Sequence, residues 1–446
     1  MVDRSYFFNR ALLAHKWHDN VRVIIDANGK FSKISPNATK QDGDSVLDCV
    51  IPTIPNCHSH VFQRCMAGLT EFKTADNDSF WSWRDLMYQY ANQINAKQLY
   101  HIAKYAYSEM LEAGYTSVCE FHYIHRDLTD NNNVKNMSLA IIKAAHEVGI
   151  SLTLLPVLYT QAHINGSQLS PLQQRFKLDT DEYIALYQTL QKQLFEEQNT
   201  GICFHSLRAV SLEQMQYVLE ELDKRQPIHI HIAEQQAEIE QIQQHTQMRP
   251  VEYLYHHFDV NKNWCLVHAT HLNEKEVKHI AQSGAIAGIC PLTEANLGDG
   301  VFPLPEYLQH KGHLAIGSDS HILINPFQEI QMLEYSQRLH KQQRVIASSS
   351  SNRHVGTLLW TKAVKGGAQS CQLPVDGIQI GQQANWISLD TSHPLLVNLS
   401  GEKCLDSVIF ANNQIPYQTY LKGKKIIPMQ QSIKENYKNT LKSLRN

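Results

Sequence analysis

Short apolar runs alternate with longer amphipathic stretches through the middle of this 446-residue chain, from about residue 50 to residue 320. Each run is rich in Val, Ile, Leu and Thr, and each is followed by a polar turn and by a stretch whose apolar positions have helical spacing. The alternation predicts parallel strands joined by crossover helices. The candidate strands are residues 50–55, 116–121, 152–158, 201–204, 228–232, 264–268, 285–290 and 314–317. Eight such strands predict a closed, TIM-like (β/α)8 barrel over residues 51–374.

Helix-start patterns agree with this alternation. Ser211, followed three residues later by Gln214, forms a capping-box pattern that predicts a helix start. Asn273 and Glu276 predict a second helix, which should end at Gly284. Both helices fall between candidate strands, as the barrel requires.

The two ends of the chain have a different pattern. Residues 21–34 and 377–390 contain strand-like runs interrupted by Asn-Gly and Gly turn signals. We expect these segments to pair in a small β-sandwich domain built from both termini, residues 1–50 and 375–446, beside the barrel. The lysine-rich final residues, 432–446, predict a helix or a frayed tail.

Composition limits the classes of partner. Apolar residues make up 43% of the chain and charged residues 19%, and the formal net charge is −3. This balance favours neither nucleic acid nor an anionic membrane surface as a partner. The first twenty residues lack the apolar core of a signal peptide, and no run approaches the roughly 18 apolar residues of a membrane span. We therefore expect a soluble protein that binds small molecules.

The cysteines predict a reducing compartment. There are nine of them, an odd number, and they are widely spaced without a Cys-x-x-Cys pair. This pattern fits neither a disulfide framework nor a thiolate zinc site. The sequence therefore predicts a cytoplasmic location.

Ionisable residues stand at the carboxyl ends of several predicted strands. In a (β/α)8 barrel these ends share one mouth, where active sites form. Any one of these residues alone would be compatible with an ordinary core or surface position, and their occurrence at four strand ends favours a common site. They are His58 and His60 after the first strand, His231 and Glu234 at the fifth, His268 at the sixth and Asp319 at the eighth.

The residue types indicate a metal centre. In a His-x-His pair on an extended segment, both imidazoles point to the same side and can reach one ion. Imidazole and carboxylate groups bind Zn²⁺ at about 2.0–2.2 Å, and catalytic zinc sites keep one position for water. We therefore predict one divalent ion, with Zn²⁺ favoured over iron or manganese, bound by His58, His60, His231 and Asp319.

The same strings resemble the amidohydrolase superfamily. The resemblance rests on PNCHSH, HIHIAE, LVHATH and GSDSH, which run from the first strand to the eighth. Longer strings, including CHSHVFQRCMAGL, DSFWSWRDLMY, GYTSVCEFHYIHRD, FHSLRAV and CPLTEANLGDGVFP, resemble the members that deiminate N-formimino-L-glutamate in histidine degradation. The resemblance implies a distorted barrel with a β-sandwich from both termini, three histidines and one aspartate as metal ligands, and N-formyl-L-glutamate and ammonia as products.

The resemblance also implies catalytic roles. Asp319 would be both a metal ligand and the base that accepts a proton from water. Glu234 would carry a proton to the departing nitrogen, and His268 would stabilise the tetrahedral centre. For Glu234, orientation of His231 is an open alternative. The superfamily usually has Gly-x-x-Ala-Asp near the return to the sandwich, and Asn385 replaces that Asp here, which we expect to affect only local turn geometry.

A dicarboxylate substrate requires cationic groups, and guanidinium grips carboxylates through paired hydrogen bonds. Arg84 and Arg208 are the candidates, and the resemblance adds Gln63, Tyr123 and His205 as substrate-binding residues.

Two other functions stay open at this point. Another deaminase of the superfamily, acting on a purine, pyrimidine or triazine ring, would share the metal core but would use aromatic or amide groups to read the ring. A non-catalytic metal-binding barrel protein would bind metal without turnover. Barrels of this kind often form dimers, so a homodimer is also an open expectation.

Overall fold

The computed structural model describes residues 4–72, 80–130, 132–350, 352–411 and 415–445. The strands are β1 (Arg4–Leu13), β2 (Lys16–Ile25), β3 (Phe31–Ser35), β4 (Ser45–Pro52), β5 (Asn56–Ser59), β6 (Ser117–His122), β7 (Ser151–Leu158), β8 (Gln198–Thr200), β9 (Ile202–Ser206), β10 (Ile228–Ile232), β11 (Trp264–His268), β12 (Ile286–Ile289), β13 (His313–Ile316), β14 (Trp386–Leu389), β15 (Tyr417–Leu421) and β16 (Lys424–Lys425).

The α-helices lie between and after these strands. They are α1 (Phe80–Ala91), α2 (Ala96–Ala113), α3 (Asn136–Val148), α4 (Thr180–Gln191), α5 (Leu212–Glu221), α6 (Gln236–Thr246), α7 (Pro250–His257), α8 (Glu274–Ser283), α9 (Pro291–Leu297), α10 (Leu304–Gln309), α11 (Pro326–Lys341), α12 (Val355–Cys371), α13 (Gly401–Phe410) and α14 (Gln431–Arg445). Short 3₁₀ helices cover Val61–Met66, Pro171–Phe176 and Pro394–Leu396. Of the helices described, none is long and apolar enough to cross a membrane.

Eight parallel strands form a closed barrel. Their order is β5-β6-β7-β9-β10-β11-β12-β13, and β13 pairs back with β5. The short strand β8 adds to the edge of β7. Because helices cover the outside of a parallel barrel, its strands are buried on both faces and appear in the sequence as nearly continuous apolar runs. The predicted barrel is confirmed, and Ser211 and Asn273 cap α5 and α8 as expected.

The first barrel strand differs from the prediction. Residues 50–52 belong to β4, which pairs with β1 and β14 in another sheet, and the barrel begins with β5. β5 has the sequence Asn-Cys-His-Ser and is buried along its whole length. Its polar groups find partners inside the barrel, so no apolar run marks this strand. His58 therefore lies within a strand, and the apolar run before it serves the neighbouring sheet.

Strands from both ends of the chain form this second sheet, in the order β16-β15-β14-β4-β1-β2-β3. β1 and β2 form a long antiparallel hairpin, and β4 lies parallel to β1. Within residues 377–390 only β14 is a strand, so the expected extended run at its beginning is replaced by turns. The bounds 1–50 and 375–446 for a separate domain remain a prediction.

Trp386 lies at the centre of the apolar cluster of the second sheet. Its side chain is fully buried. Aromatic rings surround it at centroid distances of 4.9–6.0 Å, and they belong to Tyr6, Phe8, Phe31 and Tyr420. Each aromatic residue buries a large apolar area, so this cluster supplies a core of its own to the sheet.

Asn385 connects the second sheet to the barrel. Its amide nitrogen donates to Thr116 Oγ1 (3.2 Å) and to Gln383 Oε1 (3.1 Å), and its oxygen accepts the backbone N–H of Lys422 (2.8 Å). An amide has both donors and an acceptor, whereas an ionised aspartate could only accept. Asn385 thus satisfies a buried position in which donors are needed.

The C-terminal helix α14 packs against α2. The rings of Tyr105 and Tyr437 stack at 3.9 Å with an interplanar angle of 5°. Tyr437 also donates its hydroxyl to the carbonyl of Arg64 (3.0 Å), and Arg445 donates to the carbonyl of Cys65 (3.1 Å). The lysine-rich end of the chain is therefore a docked helix and not a frayed tail.

Helix α12 passes very close to the barrel strands at two adjacent glycines. A Cβ atom on Gly366 would lie well inside the contact distance of the Leu314 carbonyl oxygen on β13. A Cβ atom on Gly367 would meet the carbonyl of Pro55 in the same way, at 2.6 Å. Both obstructing atoms are backbone atoms, which cannot rotate aside. The close approach of α12 therefore requires residues without a side chain.

We expect Gly366→Ala to destabilise the protein by about 1–3 kcal/mol, as overpacking does. Alanine has a higher helix propensity by about 1 kcal/mol, and the clash should outweigh that gain. The thermal unfolding midpoint measures the effect, with the exposed neighbour substitution Lys365→Ala as a control that should change little. A midpoint for Gly366→Ala equal to that of wild type would contradict the close packing.

Candidate active site

Three of the predicted metal ligands lie on the seam that closes the barrel. Asp319 follows β13; its N–H donates to the carbonyl of His58 (3.0 Å), and its own carbonyl accepts the N–H of His60 (3.0 Å). Asn56 reinforces the seam, because its amide donates to Ser318 Oγ (2.6 Å) and accepts the N–H of Ser318 (3.1 Å). The backbone hydrogen bonds of barrel closure thus hold these ligands side by side.

The side-chain atoms of the predicted ligands converge around His58. Its Nε2 atom lies 3.1 Å from His60 Nε2, 3.1 Å from His231 Nε2 and 3.2 Å from Asp319 Oδ1. His60 Nε2 lies 3.4 Å from the same Asp319 oxygen. An ion with tetrahedral ligands at about 2.0–2.1 Å has edges of about 3.3 Å between ligand atoms. These four distances are close to that value, and His231 also groups with His58 and His268 within 4.8 Å, so the donors around His58 could hold a divalent metal ion.

Burial keeps these groups in the form that binds metal. Burial and the neighbouring His60 lower the pKa of His58 to about 3, and burial also lowers the pKa of His60 and His231. The Nδ1 atom of His60 lies 2.8 Å from the carbonyl of Phe121, which fixes its proton there and leaves the Nε2 lone pair free for an ion. Burial opposes ionisation of Asp319, but His58 holds its pKa below the usual range.

Glu234 and His268 lie beside the cluster as an interacting pair. His268 Nε2 is 3.7 Å from Glu234 Oε1 and 4.0 Å from Asp319 Oδ2. Burial raises the pKa of Glu234 to about 7. A carboxyl group with this pKa can both hold and release a proton near neutral pH, as general acid–base catalysis requires.

The backbone is strained where the barrel strands end. Several residues other than glycine have positive φ there, with values of 44–69°. This conformation is uncommon for such residues and costs on the order of 1–3 kcal/mol each, so it persists only where the surrounding structure enforces it. The residues are Ala233, His268, Ala269, Asp319 and His321. The strain aims side chains of the cluster into the barrel mouth.

A pocket opens onto the cluster. Of the predicted metal and catalytic residues, it is lined by His60, His231, Glu234, His268 and Asp319. All of the predicted substrate-binding residues also line it, namely Gln63, Arg84, Tyr123, His205 and Arg208. His58 lies beneath, with no exposed surface. The structure therefore brings every site residue proposed from the sequence to one place.

The two arginines share a tyrosine-rich part of the pocket. Arg208 Nη1 donates to the carbonyl of Ala162 (2.9 Å) and to the hydroxyl of Tyr159 (3.3 Å). The guanidinium carbon of Arg84 lies 5.4 Å from the ring centre of Tyr88. Gln173 joins the two tyrosines, with its amide nitrogen 2.8 Å from Tyr159 OH and 3.4 Å from Tyr88 OH.

The remaining predicted residues lie between this part and the metal cluster. Gln63 donates its amide to the hydroxyl of Tyr123 (3.1 Å), whose ring lies 5.0 Å from that of His60. The ring of His205 is 5.1 Å from that of His231. Burial lowers the pKa of His205 well below its ordinary value, so its imidazole is neutral and can accept or donate one hydrogen bond.

Sequence reasoning missed several residues of the site. Tyr88 and Tyr159 line the pocket, although neither belongs to a motif of charged residues. Glu238 accepts the backbone N–H groups of Ala233 (3.1 Å) and Glu234 (3.0 Å), and so holds the loop that carries Glu234. The one signal in the sequence was the spacing of four residues between Glu234 and Glu238, which places both near the start of a helix.

Comparison with known proteins identifies the family. The profile of the amidohydrolase family matches residues 49–426. The chain belongs to the amidohydrolase family. It is 43% identical over 410 residues to the formimidoylglutamate deiminase of Pseudomonas aeruginosa. The match covers 91% of this chain and 90% of that protein.

Solved structures of amidohydrolases have the same fold. The crystal structure of an amidohydrolase from Brucella melitensis has a TM-score of 0.94 and 38% identity, and the match covers 99% of this chain and 100% of that one. An adenosine deaminase from Xanthomonas campestris, solved with bound zinc, has a TM-score of 0.80 and 19% identity over 99% and 98% of the two chains. At that identity the second likeness supports the fold alone.

The geometry predicts that His231→Ala and Asp319→Asn each lose bound metal and activity together, because each removes one of few ligands. Elemental analysis of the purified variants measures the metal. The exposed histidine substitution His279→Ala serves as the control and should retain the wild-type metal content. Full metal occupancy in a variant that combines His58→Ala with His60→Ala would contradict the site.

Proposed function

We propose that this amidohydrolase hydrolyses N-formimino-L-glutamate to N-formyl-L-glutamate and ammonia. The observation that carries the proposal is that one pocket contains two arginines together with a cluster of carboxylates and metal-binding histidines. The relative that is 43% identical has the name of this reaction. The first observation concerns the placement of charges in the pocket, and the second concerns the sequence as a whole.

The substrate has the matching charge pattern. Its formimino end is an amidinium cation, and its other end has two carboxylates. Glu238 and Asp319 line the pocket and favour the cation, whereas Arg84 and Arg208 suit the carboxylates. A neutral purine or pyrimidine ring has no carboxylate for Arg208 to bind.

In this proposal, the cluster around His58 binds the metal ion, and Asp319 is the base. When bound by His58, His60, His231 and Asp319, a divalent ion would acidify a water molecule and so supply the nucleophile for the formimino carbon. Asp319 Oδ1 faces the histidines, and its Oδ2 atom faces His268 and is placed to accept the proton of that water.

Glu234 and His268 complete the proton transfers. Glu234 holds a proton at about pH 7 and delivers it to the departing nitrogen, so that ammonia leaves as a neutral molecule. His268 points Nε2 toward both carboxylates, where it can donate a hydrogen bond to the oxygen that is added to the formimino carbon.

The proposal includes one ion per chain, with Zn²⁺ favoured by the imidazole and carboxylate ligands. The cysteines are all buried and unpaired, which supports the proposed cytoplasmic location. A homodimer remains a prediction from the fold class.

Ammonia release tests the proposed reaction. We expect fast release from N-formimino-L-glutamate, slower release from N-formimino-L-aspartate, whose second carboxylate is one methylene closer, and none from guanine or cytosine. A coupled assay for ammonia at equal enzyme and metal concentrations gives kcat/KM for each compound. Fast release from a ring base alone would overturn the substrate assignment.

Arg208→Met should lower kcat/KM for the dicarboxylate by at least about tenfold, because charge-assisted hydrogen bonds are worth roughly 1.5–3 kcal/mol. Methionine keeps the length and the apolar contacts of the side chain while it removes the charge. Part of the loss should appear in kcat, since binding of the tail also positions the formimino carbon.

Two analogues serve as controls for Arg208→Met. N-formimino-γ-aminobutyrate lacks the α-carboxylate, and N-formimino-L-2-aminobutyrate lacks the γ-carboxylate. On the analogue without the carboxylate that Arg208 binds, wild type and variant should have nearly equal kcat/KM. If the difference in kcat/KM between wild type and Arg208→Met is as large on both analogues as on the dicarboxylate, Arg208 has a structural role and does not bind a carboxylate of the substrate.

A further inference from the structure

The segment after β12 places a buried carboxylate against His268. Glu294 lies on the short helix α9, and its side chain is 5% exposed. Its Oε1 atom accepts the backbone N–H of Cys290 (2.9 Å) and lies 3.3 Å from His268 Nδ1. Neither the metal cluster nor the substrate pocket requires this contact, so it calls for a role of its own.

The contact fixes which nitrogen of His268 carries a proton. An oxygen that already accepts a backbone N–H is an acceptor, so the ring nitrogen that faces it must be the donor. With Nδ1 protonated, the other nitrogen is directed at Glu234 (3.7 Å) and Asp319 (4.0 Å). This assignment holds whether or not the ring carries a second proton.

We propose that Glu294 is a positioning residue for the hydrolysis, which sets the tautomer and the ring orientation of His268 so that Nε2 faces the reacting centre. The inference rests on the proposed function, because it concerns the histidine that stabilises the reacting carbon. Carboxylate partners of functional imidazoles act in this way, and their loss is typically worth about 10–100-fold in activity.

The ring needs such a partner. His268 is the last residue of β11, and positive φ values at His268 (69°) and Ala269 (49°) turn the chain sharply there. Glu294 is the nearest of the carboxylates around the ring, since those of Glu234 and Asp319 lie beyond hydrogen-bond distance. Without Glu294, rotation about the side-chain bonds of His268 would be limited only by packing.

Helix α9 is itself fixed to the loop of Asp319. The Thr293 hydroxyl oxygen lies 3.0 Å from Ser320 Oγ and accepts the N–H of Ser320 (3.2 Å). On the other side, Glu329 of α11 accepts the N–H of Leu292 (2.9 Å). Glu294 therefore moves together with the residue that follows Asp319, and the distance between His268 and the metal cluster is set through α9.

The competing interpretation of this contact is a metal site formed by three residues. His268, Cys290 and Glu294 have potential ligand atoms within 4.8 Å of one another. The Cys290 side chain, however, packs in an apolar cluster with Val267 and Ala315, and burial raises the pKa of its thiol well above the ordinary value. A protonated thiol is a poor metal ligand, so the positioning role is favoured.

The test is a double-mutant cycle with Glu294→Gln and His268→Asn in the holoenzyme, assayed for ammonia release. We expect Glu294→Gln to lower kcat about 10–100-fold, with KM and metal content near wild type. In the His268→Asn background the same substitution should change kcat by no more than about twofold, because the group through which it acts is gone. Glu329→Gln is the matched control, since it alters a buried carboxylate of α11 that accepts the N–H of Leu292 on α9 and does not touch His268. Glutamine keeps an oxygen that can accept this N–H, so the variant should keep wild-type kcat.

Two results would overturn the proposal. One is a Glu294→Gln enzyme with the kcat of wild type, and the other is an equal loss in both backgrounds, which would mean that Glu294 supports the loop and not His268. Loss of a metal ion from Glu294→Gln would instead favour metal binding by His268, Cys290 and Glu294. If Glu294→Gln does not fold, Glu294→Asp is measured in both backgrounds and judged by the same comparison. Turnover by wild type tests the proposed function separately, because the cycle depends only on ratios between variants.

Discussion

The pairing of β13 with β5 is the interaction on which the rest of the molecule depends. It closes the barrel, and its last hydrogen bonds are those between the backbones of Asp319, His58 and His60. Closure therefore holds three of the four predicted ligands together, since the seam cannot open without separating Asp319 from His58 and His60. Parallel strands place their carboxyl ends on one rim, and the seam brings the first and last strands of the barrel together on that rim.

Buried polar groups beneath the rim support the seam. Glu120 on β6 accepts the hydroxyl of Ser59, the N–H of Val61 (2.8 Å) and the hydroxyl of Tyr107 (3.2 Å). Burial raises its pKa to about 8, so the surrounding donors are what make this position tolerable for a carboxyl group. Glu120 and Glu238 have the same function, because each accepts a backbone N–H from a segment that carries a residue of the predicted site.

The pocket combines opposite charges within one enclosure. The carboxylates and the histidines of the predicted metal site line one part of the wall, and the arginines lie among tyrosines at another part. Such an arrangement suits a molecule that has opposite charges at its two ends. The positive φ values at the strand ends are the structural cost of bringing these groups so close.

The sequence alone predicted the barrel and the candidate ligand and substrate-binding residues that the structure gathers at its mouth, because apolar periodicity and strand-end positions are local features that a linear pattern preserves. It misplaced the first barrel strand, since β5 is polar and its partners lie on β6 and β13, far along the chain. It also gave no role to Glu120, Glu238 or Tyr159. Only the tertiary structure decided the roles of these residues. A supporting hydrogen bond forms between groups that barrel closure brings within about 3 Å of each other, and residue type and spacing in the sequence do not encode that distance.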